Sequence, residues 1–218
     1  MISERLKIIG GYVRQGCRVA DIGTDHGLLP IWLVENGISP CAVASDLREG
    51  PASVARKNAQ KAGLADRIDV RVGNGLALVS PNEVEDIVIA GMGGETIVEI
   101  LSAATWVQDA RYRLILQPMS HAEILREWLY QNGFRTQCET LFTDGGRTYL
   151  LLVSAFEGGV IPFDTFDCWR GELDPDIARP YWKKTAAYLQ ERANGCVARG
   201  DVAAADAFRE IAEKLVQL

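Results

Sequence analysis

Residues 19–27 read VADIGTDHG. Small and apolar residues rise to an acid, Asp21, and the chain turns through Gly23 and Gly27 into an apolar run, residues 28–34, that opens as a helix. A strand, a glycine turn and a helix in that order make a nucleotide-type pocket. A dinucleotide turn needs G-x-G-x-x-G, so that backbone amides at the helix start can close on a pyrophosphate. Here the spacing is D-x-G-x-D-x-G, with Asp25 where a second glycine would admit that approach. A carboxylate repels a diphosphate, so the turn favours a ligand that is uncharged or cationic at that end. S-adenosylmethionine fits, because it has no phosphate and carries an ammonium that Asp25 can hold.

Working outward, the strand occupies about residues 18–22 and is preceded by a short helix capped by Ser3, with Leu6, Ile9, Tyr12 and Val13 three and four apart. Residues 40–46 form a second strand ending on Asp46, and Gly50-Pro51 opens a helix that continues over 53–62. Residues 68–72 are a third strand followed by Asn74-Gly75, and 86–90 a fourth that runs into Gly91-Met92-Gly93-Gly94 and a helix over 95–104. A fifth strand, 113–117, leads through Pro118 to Ser120-His121-Ala122-Glu123, the spacing of a capping box. Two last strands, 136–142 and 148–156, flank the hairpin signal Asp144-Gly145-Gly146. Strands alternating with helices and closing in one hairpin predict an α/β, doubly wound, mostly parallel seven-stranded sheet with an antiparallel edge.

Beyond Gly158-Gly159 the pattern becomes helical. One helix is expected to turn Ile177, Tyr181, Thr185 and Tyr188 to its partner, and the next Ala205, Phe208, Ala212 and Leu215. A short loop at 194–200 makes them antiparallel. The expected organisation is a sheet domain over residues 1–159 and a C-terminal helical hairpin over 160–218.

A chain of 218 residues, 48% hydrophobic and 24% charged, has the composition of a soluble globular protein. No apolar run of signal-peptide length precedes Gly10-Gly11, and none nears the roughly 20 residues of a membrane span, so a cytoplasmic location without membrane contact is expected. The five cysteines form no C-x-x-C pair and there are only two histidines, so no metal and no disulfide is expected. A net charge of −6 argues against nucleic acid only when averaged over the surface. Local patches can still form from Arg5, Arg14, Arg18, Arg48, Arg56 and Lys57, or on the hairpin from Lys183, Lys184, Arg192 and Arg199.

In a doubly wound sheet the ligand lies beyond the carboxyl ends of the strands. That rule gathers Asp21, Gly23, Thr24 and Asp25 from the first turn, Asp46 and Leu47 from the second strand, Asn74 and Gly75 from the third and Gly91 from the fourth as cofactor residues. Asp46 suits a ribose diol, since a carboxylate accepts two hydroxyl bonds, and Asn74 suits an adenine edge. His26, Met92 and Gln117 are expected to line the acceptor side.

The segments DIGTDHGLLPIWLV, VGNGL, IAGMGG and LQPM, with Glu49-Gly50-Pro51 after the strand-ending acid, together resemble the bacterial tRNA (adenine-22, N1)-methyltransferases. The resemblance spans nearly the whole chain, the terminal hairpin included. It implies a class I methyltransferase, Rossmann-like fold, S-adenosylmethionine as cofactor, and an adenine ring nitrogen of tRNA as methyl acceptor. It carries Asp21, Gly23 and Asp25 to the cofactor turn, Asp46 to the ribose, and Asn74 with Gly75 to the adenine. Two positions depart from the family pattern: Asn74 stands where Asp is usual, and Met119 where Asn is frequent.

A ring nitrogen already has its lone pair, so positioning should dominate the reaction, with Asp25 as the catalytic candidate through electrostatics on the cationic product. GMGG lacks the side-chain acceptor that an exocyclic-amine methyltransferase presents at this place. Methylation of a small metabolite stays open, as does a non-enzymatic interaction module on a Rossmann-like scaffold. The chain is expected to act as a monomer or as a weak homo-oligomer through the helical hairpin.

Overall fold

The computed structural model describes residues 2–218. Backbone contacts divide the chain into two compact units, Met1–Pro162 and Phe163–Leu218. In chain order the first contains α1 (Glu4–Gly10), β1 (Val19–Ile22), α2 (Leu28–Glu35), β2 (Ala42–Asp46), α3 (Glu49–Lys61), β3 (Ile68–Val72), β4 (Asp86–Gly93), α4 (Gly94–Ser102), β5 (Arg113–Ser120), α5 (Ala122–Gln131), β6 (Phe134–Asp144) and β7 (Arg147–Phe156).

The seven strands form one sheet in the order β3-β2-β1-β4-β5-β7-β6. Five are parallel neighbours, and β7 runs antiparallel to both β5 and β6. The order reverses between β1 and β4, which opens the crevice where such sheets take ligands. β1 and β2 are buried along their whole lengths, as parallel strands covered on both faces must be. Ile9 of α1 and Val13, which lies past the helix end at Gly10, join Leu29, Leu33, Val88 and Ile115 in one continuous core, so the segment packs against the sheet although its helix is shorter than the apolar spacing through Val13 suggested.

The hairpin forms where expected, with positive φ at Gly145 and Gly146 as a two-residue primed turn requires. Its reversed strand is not the edge, however. β7 carries the continuous run LLLVSA and is buried from Leu150 to Ala155, so it is drawn inside, against β5. β6 begins by alternating buried Phe134 and Thr136 with exposed Arg135 and Gln137 and takes the edge, where an exposed charge also discourages pairing with other chains. The capping box at residues 120–123 does not form. Ser120 pairs with Gly93 in the sheet ladder, and the N-cap is His121, at φ 53° with no side-chain cap bond.

The second unit contains α6 (Thr165–Arg170), α7 (Pro175–Ala198) and α8 (Val202–Val216), the last two packed as a hairpin. The face of α7 is one position away from the expected one. Ala178, Trp182, Ala186, Leu189, Ala193 and Cys196 are buried, whereas Ile177 and Tyr188 are 53% and 45% exposed. Alanines facing Ala205 and Ala212 of α8 let two helices approach closely, and Trp182 fills the wider end while its indole N–H donates to the Arg170 carbonyl at 2.9 Å. All five cysteines are free. Among the described residues, no helix is long and apolar enough to cross a membrane.

One buried ion pair ties α5 to the edge strand. Arg126 Nε and Nη2 donate to Glu139 Oε1 at 2.8 and 2.6 Å, both side chains essentially inaccessible. Removing the Glu139 charge weakens charge-assisted bonds in a buried setting, so Glu139→Gln should cost about 2 kcal/mol in urea denaturation. Glu157→Gln, at the exposed Arg135–Glu157 pair, should cost less than about 1 kcal/mol.

Candidate active site

The first turn is folded back onto the end of β2. The Gly23 and Thr24 amides both donate to the Ser45 carbonyl, at 2.8 and 2.9 Å. Asp46 then secures the next residue: its Oδ2 accepts from the Asp25 amide at 3.3 Å and its Oδ1 from the Arg48 amide at 2.9 Å. The third loop joins through the Gly73 amide, which donates to the Asp46 carbonyl at 2.9 Å. Three of the five predicted loops are thereby fixed by backbone bonds alone. Each oxygen of the mostly buried Asp46 carboxylate keeps lone pairs for a diol beyond the amide it already receives.

Gly23, at φ 76°, is required twice over. An L side chain is strained in that conformation, and a Cβ there would collide with the Met92 methyl. Met92 therefore lies directly against the first turn, on a bulged end of β4 that continues past residue 90 to Gly93. Thr24 Oγ1 is buried beside Asp21, whose charged form its hydroxyl favours. Leu47 is exposed beside Asp46, an apolar flank for a flat ring, and Asn74 is exposed beside Gly75 on the next loop.

Asp25 adopts φ 52° and its side chain is 69% exposed at the rim, 3.6 Å from the His26 ring. His26 is exposed, and its carbonyl accepts from Asn58 of α3 at 2.9 Å. Gln117 is fully buried: its Nε2 donates to the Pro118 carbonyl at 3.0 Å, and its Oε1 accepts from Arg5 Nη1 at 2.7 Å. Gln117 therefore meets the crevice through Arg5, which also borders Gly91.

Asp21 is 5% exposed at the end of β1, and burial raises its pKa to about 6. The Thr24 hydroxyl and the Arg5 charge pull the other way, and Asp46 adds to the rise.

The six-residue basic patch is not one surface. Arg14 is bonded to Asp86 and Arg18 to Glu85, at the amino end of β4 and opposite the crevice. Arg56 is paired with Glu49 at 2.6 Å. Arg5 alone of the six reaches the ends of β4 and β5, and sequence reasoning missed that role. A cation on the second position of a helix facing an apolar core was the signal available.

Residues 2–152 match the model of a methyltransferase domain. A tRNA (adenine(22)-N(1))-methyltransferase of Bacillus subtilis (strain 168) is 35% identical over 191 residues, 87% of this chain and 79% of that protein. The crystal structure of the Bacillus subtilis M1A22 tRNA methyltransferase superposes with a TM-score of 0.84 at 27% identity, covering 99% of each chain. A Streptococcus pneumoniae protein in complex with S-adenosyl-L-methionine gives 0.84 at 32% identity, covering 99% of this chain and 100% of that one.

The raised Asp21 pKa has a definite signature. The folded state holds this proton up to about pH 6, whereas the unfolded chain releases it near pH 4, so the burden on stability grows between those values and persists above them. Asp21→Asn should therefore melt above the parent protein at pH 7.5, by the equivalent of about 3 kcal/mol, and lose that advantage by about pH 4 in a melting series.

Proposed function

The chain belongs to the tRNA (adenine-22, N1)-methyltransferase family, and from that premise we propose that it transfers a methyl group from S-adenosylmethionine to N1 of adenine 22 in tRNA. The observation that carries this reading is the extent of the likeness: it covers the helical hairpin as well as the sheet unit. The crevice residues support it chemically. Asp46 presents free lone pairs to a ribose, Leu47 an apolar flank, and Asp25 an exposed carboxylate to an ammonium.

Bound in the crevice, S-adenosylmethionine supplies an electrophilic methyl group on a sulfonium. The protein need not remove a proton before attack, because N1 of adenine is unprotonated at neutral pH. Its task is alignment, which can contribute several orders of magnitude when reacting atoms are held close and in line. Asp21, Gly23, Thr24, Asp46, Leu47, Asn74, Gly75 and Gly91 frame the cofactor, and Asp25 holds its ammonium. Asp25 also offers negative charge as the ring becomes cationic. Met92 and His26 border the acceptor, and Gln117 acts from beneath through its bond to Arg5. The adenine must leave its stack, at a cost on the order of a few kcal/mol that contacts elsewhere on the tRNA offset. The working form is a monomer or a weak pair through the hairpin, acting in the cytoplasm.

Mass spectrometry of nucleosides from unmodified tRNA incubated with protein and S-adenosylmethionine should show 1-methyladenosine, absent when adenine 22 is replaced by guanine. Methyl transfer to a metabolite and to no tRNA would overturn the reading. Asp46→Ala should weaken S-adenosylmethionine binding roughly 10- to 100-fold by calorimetry, the equivalent of losing charge-assisted hydrogen bonds.

A further inference from the structure

Arg5 is the cation of the crevice whose setting is unusual. Its helix is fixed by the Ser3 cap, and its own amide donates to Asp144 Oδ2 at 3.1 Å, which binds α1 to the tip of the β6–β7 hairpin. The guanidinium then reaches back over the sheet. Nη1 donates to Gln117 Oε1 at 2.7 Å, the Cζ stands 5.7 Å from the Tyr149 ring centre, and Nη1 lies 3.2 Å from where a Cβ on Gly91 would sit. Among the described residues, no carboxylate lies within 4.0 Å of this guanidinium. Arg14, Arg18 and Arg56 are all ion-paired. Arg5 is held by a neutral amide that fixes its direction, and although it favours the charged form of buried Asp21, it does so from beyond ion-pair distance, so no ion pair neutralises it.

A charge kept available beside a methyl-transfer crevice needs an anion. The adenine ring is not that partner, because it becomes cationic on methylation and a guanidinium facing it would oppose the reaction. The anion carried by every nucleotide that enters is its phosphate, and the planar donor fork of arginine matches phosphate oxygens. We propose that Arg5, aimed by the buried Gln117 amide, binds a phosphate of the target nucleotide at the ends of β4 and β5 and so positions the extruded adenine. The proposal rests on the tRNA reading above. Gln117 is then a positioning residue, and the choice of Gln over Glu at 117 keeps the guanidinium from being neutralised.

The test is the salt dependence of tRNA binding by the full-length protein, measured with unmodified tRNA over a potassium chloride series. A phosphate contact releases counterions, so Arg5→Gln should reduce the slope of log affinity against log salt by about 0.7 to 0.9, and Arg5→Lys, which keeps the charge, should restore it. The tRNA KM should rise roughly tenfold in Arg5→Gln, with kcat changing much less and S-adenosylmethionine affinity holding. Gln117→Glu supplies an independent variant: it pairs the guanidinium without removing it and should lower the slope equally, even if Arg5→Gln folds poorly. An unchanged slope in both variants, or a loss that falls on S-adenosylmethionine affinity, overturns the proposal. A parent protein that neither binds nor methylates tRNA would remove the functional reading along with it, whereas a methylating parent whose variants keep its salt slope removes only the role of Arg5.

Discussion

The crevice depends on one set of bonds: the Gly23 and Thr24 amides on the Ser45 carbonyl, and the Asp25 amide on the Asp46 carboxylate. These bonds turn the chain sharply at the end of β1 and lay it across the end of β2. Asp46 thereby acts twice, as the brace of the neighbouring loop and as a free acceptor at the pocket rim. Because its braces are backbone amides, substitutions along the turn can change what the pocket touches without changing where it stands. Glycine at 23 is the exception, since both its φ and the methyl of Met92 forbid a side chain.

Charge within the crevice is divided between two levels. Asp21 lies beneath, buried and reluctant to ionise, while Asp25 lies at the rim in contact with water. Arg5 stands on the other flank and eases the burden on Asp21. The side of the crevice at the ends of β1 and β2 is thus acidic and the β4–β5 side carries a cation, a division of charge across one cleft.

Much of this was legible in the sequence because the informative residues are local. The glycine turn, the acid ending β2 and the Asp-Gly-Gly hairpin are each specified within a few positions, and strand ends converge by topology. What was not legible depends on partners distant in the chain. Ser120 and Glu123 have the spacing of a cap, yet the ladder to Gly93 claims Ser120 first. Arg14 and Arg18 look like free cations until Asp86 and Glu85 arrive from some 70 residues away. On α7 the stripe of Ile177, Tyr181 and Tyr188 offers more apolar area than the alanines one position on, but close helix packing rewards small side chains, and tyrosine can keep its hydroxyl in water. Gln117 stands at a strand end that topology points to, whereas its partner Arg5 lies 112 positions earlier on a helix where local pattern shows only a surface cation.

The interior position of β7 also dictates an order of events during synthesis. β6 leaves the ribosome before β7, yet its sole neighbour in the finished sheet is β7. Until residue 156 has emerged, β5 presents an open apolar flank, and β6 cannot close it without displacing its own successor. The last strand made therefore completes the sheet that the first loop serves. Any delay in translation between residues 120 and 156 prolongs the exposure of β5 to other nascent chains.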